Sequence, residues 1–396
     1  MTRFYKTSLC TAILMAAAPL SAATLEERVE ALESRAGNTQ VSIGGFVKAD
    51  AIYSNYSDGE TATAAIGDDF LVPSTIPVAG ADGDRKLHMI AKQSRFWLKT
   101  STPTDNGTVT GHFEMDFQTN GGGDERISNS ETTRLRHAYL SWNNWLFGQT
   151  WSTFFNVSAL PETLDFVGSS GTVFVRQAQV RYTNGGWMLA AENPSSTLYG
   201  PTPPPPAQAP SSYDDNTVPD VIVRYNMKGD WGNMSLSAMG RQLAHQDALV
   251  PEDKIAGYGV ALAGQLKVGD RNDIRFQLNQ GNALGRYINL NAFRSGVIEA
   301  DGEIELVDMW SAVLAYRHHW SDRWRTNIAV SASEADNPDT AAVTVNKRVQ
   351  SGHLNLIWQA AKPLTLGGEL IYGEREQENG DDGSLRRLQL SAKYAF

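Results

Sequence analysis

From Val41 to the end of the chain, apolar side chains recur at every second position, and this alternation constrains the fold more than any other feature. In the last segment, Leu388 and Leu390 alternate with Gln389 and Ser391. Successive side chains of a β-strand point to opposite faces, so each such segment predicts a strand with one apolar and one polar face. A soluble sandwich and a transmembrane barrel both contain such strands.

The spacing of the turn signals favours the barrel. Short turns alternate with long polar segments, and short turns at one end with long loops at the other are typical of transmembrane barrels. The seven short turns lie at 105–107, 143–144, 184–186, 230–233, 269–272, 321–323 and 362–363. The long segments lie at 57–86, 121–131, 152–175, 194–217, 281–307 and 335–347. Seven turns join fourteen strands, and the first (41–54) and last (386–396) bring the predicted all-β antiparallel barrel to sixteen.

The tryptophans also indicate a membrane environment. Six of them lie within a few residues of a short turn, where an indole ring can contact lipid while its N–H stays in water. These are Trp142, Trp145, Trp187, Trp231, Trp320 and Trp324. Such a cluster predicts an aromatic girdle at one membrane surface.

Residues 1–23 have the features of a secretory signal peptide. Arg3 and Lys6 precede an apolar core at 9–20, and small residues follow at 21–23. This arrangement predicts export and cleavage, and an exported barrel is expected in the outer membrane of a Gram-negative cell. Cys10 lies inside this segment and is the only cysteine of the chain. The mature protein should therefore contain no disulfide and no cysteine metal site.

The segment 24–38 changes the period of the pattern. Leu25, Val29 and Leu32 are spaced four and three residues apart, as on the seam of a coiled coil. A helix this short is marginal alone, so a short coiled coil among identical chains and a polar tail remain two open interpretations. Residues 39–396 are predicted to form one barrel domain.

The charge of the chain argues against nucleic acid as a partner. Cleavage after residue 23 would remove two of the 34 basic residues and leave 32 against 44 acidic ones, a net charge of −12. A nucleic-acid-binding protein normally carries a basic surface. Net charge does not decide the ion selectivity of a pore, which depends on the charge at its narrowest section.

Several segments carry a resemblance to known proteins. From Val41 onward the chain resembles Gram-negative trimeric porins, and within these it is similar to the DcaP-like family. The porin resemblance rests on segments 133–142, 143–149, 161–166 and 176–182 and on the terminal Tyr394-Ala-Phe396. The family resemblance rests on segments 44–50, 94–99 and 135–139. It implies a homotrimer in contact with outer-membrane lipid and lipopolysaccharide, which passes small anions, including dicarboxylates.

The resemblance also implies a constriction. The loop at 152–175 should fold inward and bring Glu162 and Asp165 into the lumen, opposite a basic wall. The matching basic positions are Arg134, Arg136 and Arg176, and further basic strand residues that could face the lumen are Arg95, Lys99, Lys48 and Arg181. Opposed charges would orient an anionic solute, because guanidinium stays ionised and binds carboxylates bidentately.

The alternation conflicts with part of this assignment. Arg134 and Arg136 share the parity of Leu140, and Arg176 shares that of Val180, which looks lipid-facing. A charged side chain facing lipid at mid-membrane costs about 2–4 kcal/mol, so we expect a bulge to reverse the face. The alternative is that these arginines hold lipid phosphate at the headgroup level.

Two other classes of function are weighed against the pore. An enzyme would need a nucleophile with a base in reach, and the sequence contains no G-x-S-x-G or H-E-x-x-H motif. His318 and His319 should point to opposite faces of a strand, so we expect no metal site, no cofactor and no enzymatic activity. A plugged adhesin or receptor, and a general or cation-preferring porin, remain as alternatives that channel measurements can separate.

Overall fold

The computed structural model describes residues 38–62, 65–119, 128–201 and 210–396. The predicted signal peptide and nearly all of the predicted coiled coil at 24–38 lie outside these residues. The described strands are β1 (Gln40–Tyr56), β2 (Arg85–Ile90), β3 (Arg95–Thr104), β4 (Gly107–Asp116), β5 (Arg134–Trp142), β6 (Trp145–Trp151), β7 (Arg176–Asn184), β8 (Trp187–Glu192), β9 (Ser196–Tyr199), β10 (Pro210–Tyr213), β11 (Asp220–Gly229), β12 (Gly232–His245), β13 (Asp253–Val268), β14 (Asn272–Gly281), β15 (Gly296–Ile298), β16 (Ile304–Leu306), β17 (Asp308–His319), β18 (Trp324–Asp336), β19 (Asn346–Ala361), β20 (Leu364–Gln377) and β21 (Asp382–Ala395).

The large sheet closes into a sixteen-stranded antiparallel barrel, as the turn spacing predicts. β1 closes it by pairing with β21 along one edge, from Phe46–Ala395 to Tyr56–Leu385. Along its other edge β1 pairs first with β3 and then with β2, so β2 and β3 act as one interrupted strand. Where they are interrupted, Ser94 Oγ accepts a hydrogen bond from the Lys48 N–H at 3.1 Å and so replaces the missing backbone partner.

All seven predicted short turns join neighbouring barrel strands. The opposite end carries the longer connections, which we number loops 1 to 8 in chain order. Two of these, loop 5 (246–252) and loop 8 (378–381), are too short to stand out as loops in the sequence. β1 begins and β21 ends at the short-turn end, which in outer-membrane barrels is the periplasmic one.

The outward face of the barrel is apolar. Leu314, Leu356 and Leu390 are about half exposed, although leucine is normally buried in a soluble domain. The six tryptophans near the short turns are 39–66% exposed, as a lipid-facing girdle requires. Among the described helices, none has the length and apolar composition needed to cross a membrane.

The interior of the barrel is partly filled by its own loops. Phe154 and Phe155 of loop 3 (152–175) pack with Tyr287 of loop 6 (282–307) against inward side chains of the wall, including Ile222 and Met239. Loop 1 (57–84) places Leu71 and Ile76 against β20 and β21 in a second apolar cluster. β9, β10, β15 and β16 form a small separate sheet in loops 4 (193–219) and 6. Loops 1, 3 and 6 therefore narrow the lumen.

Candidate pore constriction

Loop 3 leaves β6 and follows the inner wall of the barrel. Three of its backbone carbonyls accept hydrogen bonds from basic side chains that point inward from three different strands. Arg224 of β11 donates to Phe155 O at 2.6 Å, Arg275 of β14 to Leu160 O at 2.5 Å, and Lys48 of β1 to Leu164 O at 2.6 Å. These contacts carry the outgoing arm of the loop from β11 round to β1.

The loop then doubles back along the same wall. Ser170 N–H donates to Ser351 Oγ at 2.9 Å, Ser311 Oγ donates to Gly171 O at 3.0 Å, and Val173 N–H donates to Gln277 Oε1 at 3.2 Å. Both arms therefore cover the wall from β14 to β21. Between the two arms, Phe166 reaches the neighbouring wall of β3 to β5, where its ring centroid lies 5.1 Å from the Arg134 guanidinium carbon and 5.6 Å from that of Arg136.

Three arginines on the wall from β3 to β5 surround two carboxylates, Glu114 and Asp116 of β4. We call this set of five residues the first cluster. Arg136 Nε lies 2.7 Å from Glu114 Oε1, and its Nη1 lies 2.8 Å from Asp116 Oδ2. Arg134 Nε donates to Asp116 Oδ1 at 2.7 Å, and Arg95 Nε lies 3.4 Å from Glu114 Oε1. Asp116 is fully buried and Arg136 is 3% exposed. With three cations on two anions, the cluster keeps one positive charge.

A bulge at Arg136 explains why these arginines face inward. Glu114 pairs with His137 and the next residue of β4, Met115, pairs with Leu135, so Arg136 is an extra residue without a partner in the ladder. The parity of β5 changes there: Leu135 and Leu140 are both exposed on the lipid face, while Arg136 and His137 are both buried. The reversal that the energetic argument required is therefore present in β5.

A second cluster lies on the opposite wall, on β14, β17 and β18. Glu162 of loop 3 accepts from Arg325 Nη2 at 2.6 Å and from Arg317 Nη1 at 3.4 Å. Arg317 also contacts Asp273, which accepts from Arg275 Nε at 2.8 Å. This cluster again has three arginines on two carboxylates. β5 and β18 are nine positions apart in the sixteen-stranded barrel, so the clusters lie on opposite sides of the lumen.

Glu162 stays ionised in this setting. Burial alone would raise the pKa of Glu162, but the hydrogen bonds and charges of Arg325 and Arg317 outweigh burial and hold the pKa below its usual value. The tip of loop 3 therefore carries a negative charge bound to two arginines.

Lys48 and Asp165 occupy the lumen side but are not open to solutes. Lys48 is 6% exposed, and besides Leu164 O its Nζ contacts Gln93 Oε1 at 2.7 Å and Asp50 Oδ1 at 3.1 Å. Asp165 is 3% exposed and accepts from the N–H groups of Leu71, Val167 and Gly168. Asp165 thus shapes the turn of loop 3 and joins it to loop 1.

Arg176 and Arg181 of β7 differ from the first cluster. The pairing of β6 with β7 is regular, so Arg176 keeps the parity of Val180, which is 42% exposed. The guanidinium is covered by aromatic rings and lies 4.2 Å from the centroid of Trp151 and 5.5 Å from that of Phe174. Phe174 in turn packs against Phe155 and Phe166 of loop 3, so the guanidinium of Arg176 lies beside loop 3 at the end of β7 although the strand pairing shows no bulge there. Arg181 has the opposite parity, that of the inward residues Gln177 and Gln179.

Sequence reasoning missed both carboxylates of the first cluster and every residue of the second cluster except Glu162. Glu114 and Asp116 alternate with Phe113 and Met115 on β4, and this alternation could have indicated inward carboxylates. Arg317 and Arg325 flank the turn after β17, where basic residues are common on either face, so no local signal separates them. In the described part of the chain, no group of three or more His, Cys, Asp or Glu residues could hold a metal ion.

A closed sixteen-stranded barrel with an inward loop between charged walls is the architecture of outer-membrane channels. The sequence matches the model of the DcaP outer membrane protein family over residues 27–396, so the chain belongs to this family. No curated protein matches the chain in a sequence search. The matches are to channels and porins, which are not enzymes, and they assign this chain to the outer membrane.

Several solved structures are similar to this barrel. The crystal structure of the outer membrane channel DcaP of Acinetobacter baumannii has a TM-score of 0.74 and 25% identity, covering 90% of this chain and 97% of that one. An anion-selective porin from Comamonas acidovorans has a TM-score of 0.52 and 11% identity, covering 90% and 100%. A trimer form of OmpT from Vibrio cholerae has a TM-score of 0.50 and 11% identity, covering 90% and 99%. At 11% identity the last two show the fold alone.

Proposed function

We propose that this channel gives passive diffusion to small hydrophilic solutes and prefers anions, with short dicarboxylates as the best substrates. One observation carries the proposal: each wall of the constriction holds three arginines on two carboxylates. A permeating ion responds to charges within a Debye length of about 8–10 Å. The two surplus positive charges therefore outweigh the distant acidic residues that make the whole chain negative.

Two facing surplus charges also suit a solute with two carboxylates. The side chains of Arg134 and Arg325 are each 18% exposed, so both arginines remain partly accessible from the lumen. Each end of a short dicarboxylate could then bind one guanidinium, and weak binding at several sites still permits release. No enzymatic step is part of this proposal.

The test is the reversal potential of the purified protein in a planar bilayer across a KCl gradient. We expect the sign of an anion-selective pore and stronger current block by malonate than by acetate at equal concentration. A cation-selective reversal potential would favour the general porin, and the absence of a steady channel would favour a plugged adhesin or receptor.

Assembly and export belong to the same proposal. Export by a cleaved signal peptide at 1–23 and contact with lipid and lipopolysaccharide accord with the exposed apolar wall. A homotrimer is supported by the spacing of Leu25, Val29 and Leu32, and the OmpT barrel has been described in a trimer form. Mass measurement of the protein from outer membranes would test cleavage and stoichiometry together.

A further inference from the structure

The backbone of one residue of loop 3, Leu164, is held from both sides by side chains of the wall. The N–H of Leu164 donates to Glu369 Oε2 of β20 at 2.7 Å. The carbonyl oxygen of Leu164 accepts from Lys48 Nζ of β1 at 2.6 Å and from Gln389 Nε2 of β21 at 3.0 Å. Leu164 lies where the outgoing arm of the loop ends and the returning arm begins, so fixing it fixes both arms.

The Glu369 carboxylate that binds the Leu164 N–H is itself hydrogen-bonded to neighbouring side chains. Glu369 is 1% exposed, and its Oε1 lies 3.1 Å from His353 Nδ1 while its Oε2 accepts from Asn355 Nδ2 at 2.8 Å. Asn355 Nδ2 also lies 2.8 Å from Glu162 O, so the same group of wall residues contacts the loop at two points. Hydrogen bonds to a charged group are short and strong, and the N–H groups of Leu164 and Asp165 complete the set of donors to Glu369.

The cation on the other side is equally enclosed. Lys48 is balanced by Asp50 and hydrogen-bonded to Gln93, both buried on the lumen side of the wall. A buried charge is costly unless it is paired and hydrogen-bonded. The loop carbonyl supplies one of the bonds that Lys48 needs, which makes departure of the loop unfavourable.

A glycine of the wall also lets the side chain of Leu164 pack closely against β20. A Cβ placed on Gly367 of β20 would meet Leu164 Cδ1 at 3.0 Å and Cδ2 at 3.1 Å. Gly367 is the inward-facing position of β20 next to Glu369. The side chain of Leu164 therefore packs against the backbone of Gly367, close to the hydrogen bond between the Leu164 N–H and Glu369. Any larger residue at position 367 would push the loop toward the lumen.

We propose that Lys48 and Glu369 clamp the backbone of Leu164 and are positioning residues that hold loop 3 at a fixed aperture. Lys48 then acts through the loop and not by contact with a permeating anion. The inference requires only that the chain is a channel narrowed by loop 3. The proposed clamp predicts a steady open current, whereas the proposed anion preference predicts the sign of the reversal potential. Either proposal can therefore fail without the other.

The first experiment records open-channel current noise of the full-length protein in planar bilayers. Glu369→Gln and Lys48→Met should each raise the current variance at least threefold above wild type while the barrel keeps its heat-modifiable migration on gels. Glu374→Gln is the matched control, because Glu374 lies on the same strand on the lipid face, where it accepts from Tyr372 Oη. Equal noise in E369Q and E374Q would overturn the clamp.

The double variant tests whether Lys48 and Glu369 both act through the backbone of Leu164. Once one side of the clamp is lost, losing the other should add little, so E369Q/K48M should be no noisier than the noisier single variant. Residues that act independently give additive effects. Additive noise in the double variant would therefore show two separate roles and overturn the proposal.

A glycine pair keeps the proposal testable if the charged variants fail to fold. Gly367→Ala and Gly367→Val should raise the noise in that order, because the added side chain displaces Leu164. Gly352→Val is the control, since a Cβ there meets nothing within 4 Å on the lipid-facing side of β19. If G367V leaves the current as quiet as G352V does, the position of Leu164 does not set the aperture.

Discussion

Arg325 on the barrel wall donates to Glu162 on loop 3 at 2.6 Å, and this bond neutralises the negative tip of the loop at the constriction. Arg317 contacts the same carboxylate at 3.4 Å. The acid that sequence reasoning expected to oppose a basic wall is thus itself bound to two arginines. The pore should consequently repel anions less strongly than the acidic residues in the sequence of loop 3 suggest.

Glu162→Gln should raise the anion-to-cation permeability ratio. The change removes one negative charge and leaves Arg317 and Arg325 free to meet permeating anions. A unit charge at 4 Å in water contributes about 1 kcal/mol, so the expected change is about fivefold. Reversal potentials of E162Q and E374Q across the same salt gradient measure it, and an unchanged ratio in E162Q would contradict the assignment.

Acidification should abolish the difference between wild type and E162Q. Because the pKa of Glu162 is lowered, its ionised form persists below the ordinary glutamate value of about 4.3. The contribution of this ion pair to stability is complete above that value and is lost as the pH falls through the lowered pKa. The two reversal potentials should therefore differ at pH 7 and pH 5 and converge only below about pH 4. Convergence already near pH 6 would refute the low pKa.

Replacing Arg134 and Arg136 together by Ala should shift the reversal potential toward cations and weaken block by malonate. The substitution leaves Glu114 and Asp116 with Arg95 alone, which reverses the sign of the first cluster. Two lost charges at about 1 kcal/mol each predict a change of roughly thirtyfold. Arg386→Ala is the control, because Arg386 is exposed on the lipid-facing side of β21. An R134A/R136A pore as anion-selective as R386A would remove the basis of the proposed function.

Asp165→Ala should destabilise the protein without changing ion selectivity. Its carboxylate accepts from three backbone N–H groups and is shielded from the pore. Leaving buried donors unsatisfied costs about 1–3 kcal/mol, which thermal unfolding of the detergent-solubilised protein can detect. A shift in reversal potential as large as that of E162Q would show instead that Asp165 acts on permeating ions.

Deletion of residues 24–36 should lower the melting temperature of the trimer and leave the barrel folded. The deletion would remove the proposed coiled-coil seam of Leu25, Val29 and Leu32, whereas the sixteen strands close without it. Semi-native gels at rising temperature measure the loss of the trimer band. A deletion variant whose trimer melts like wild type would leave the segment as a polar tail.

The sequence alone determined the barrel. Alternation and turn signals are local properties, because side-chain direction in a strand has a period of two and a tight turn needs particular residues. Leu388, Leu390 and the seven short turns therefore sufficed for strand count, sheet type and the lipid-facing surface. The tryptophans beside those turns identified the membrane for the same local reason.

Only the tertiary structure decided which charges meet at the constriction. The inward face of Arg136 depends on one extra residue in β5, and a shift of one residue exchanges the two faces of a strand. The partner of Glu162 comes from β18, more than 160 residues away, and the N–H groups that bind Asp165 come from two loops. Such pairings follow from barrel closure and from the path of loop 3, which brings distant segments together and leaves no periodic trace in the sequence.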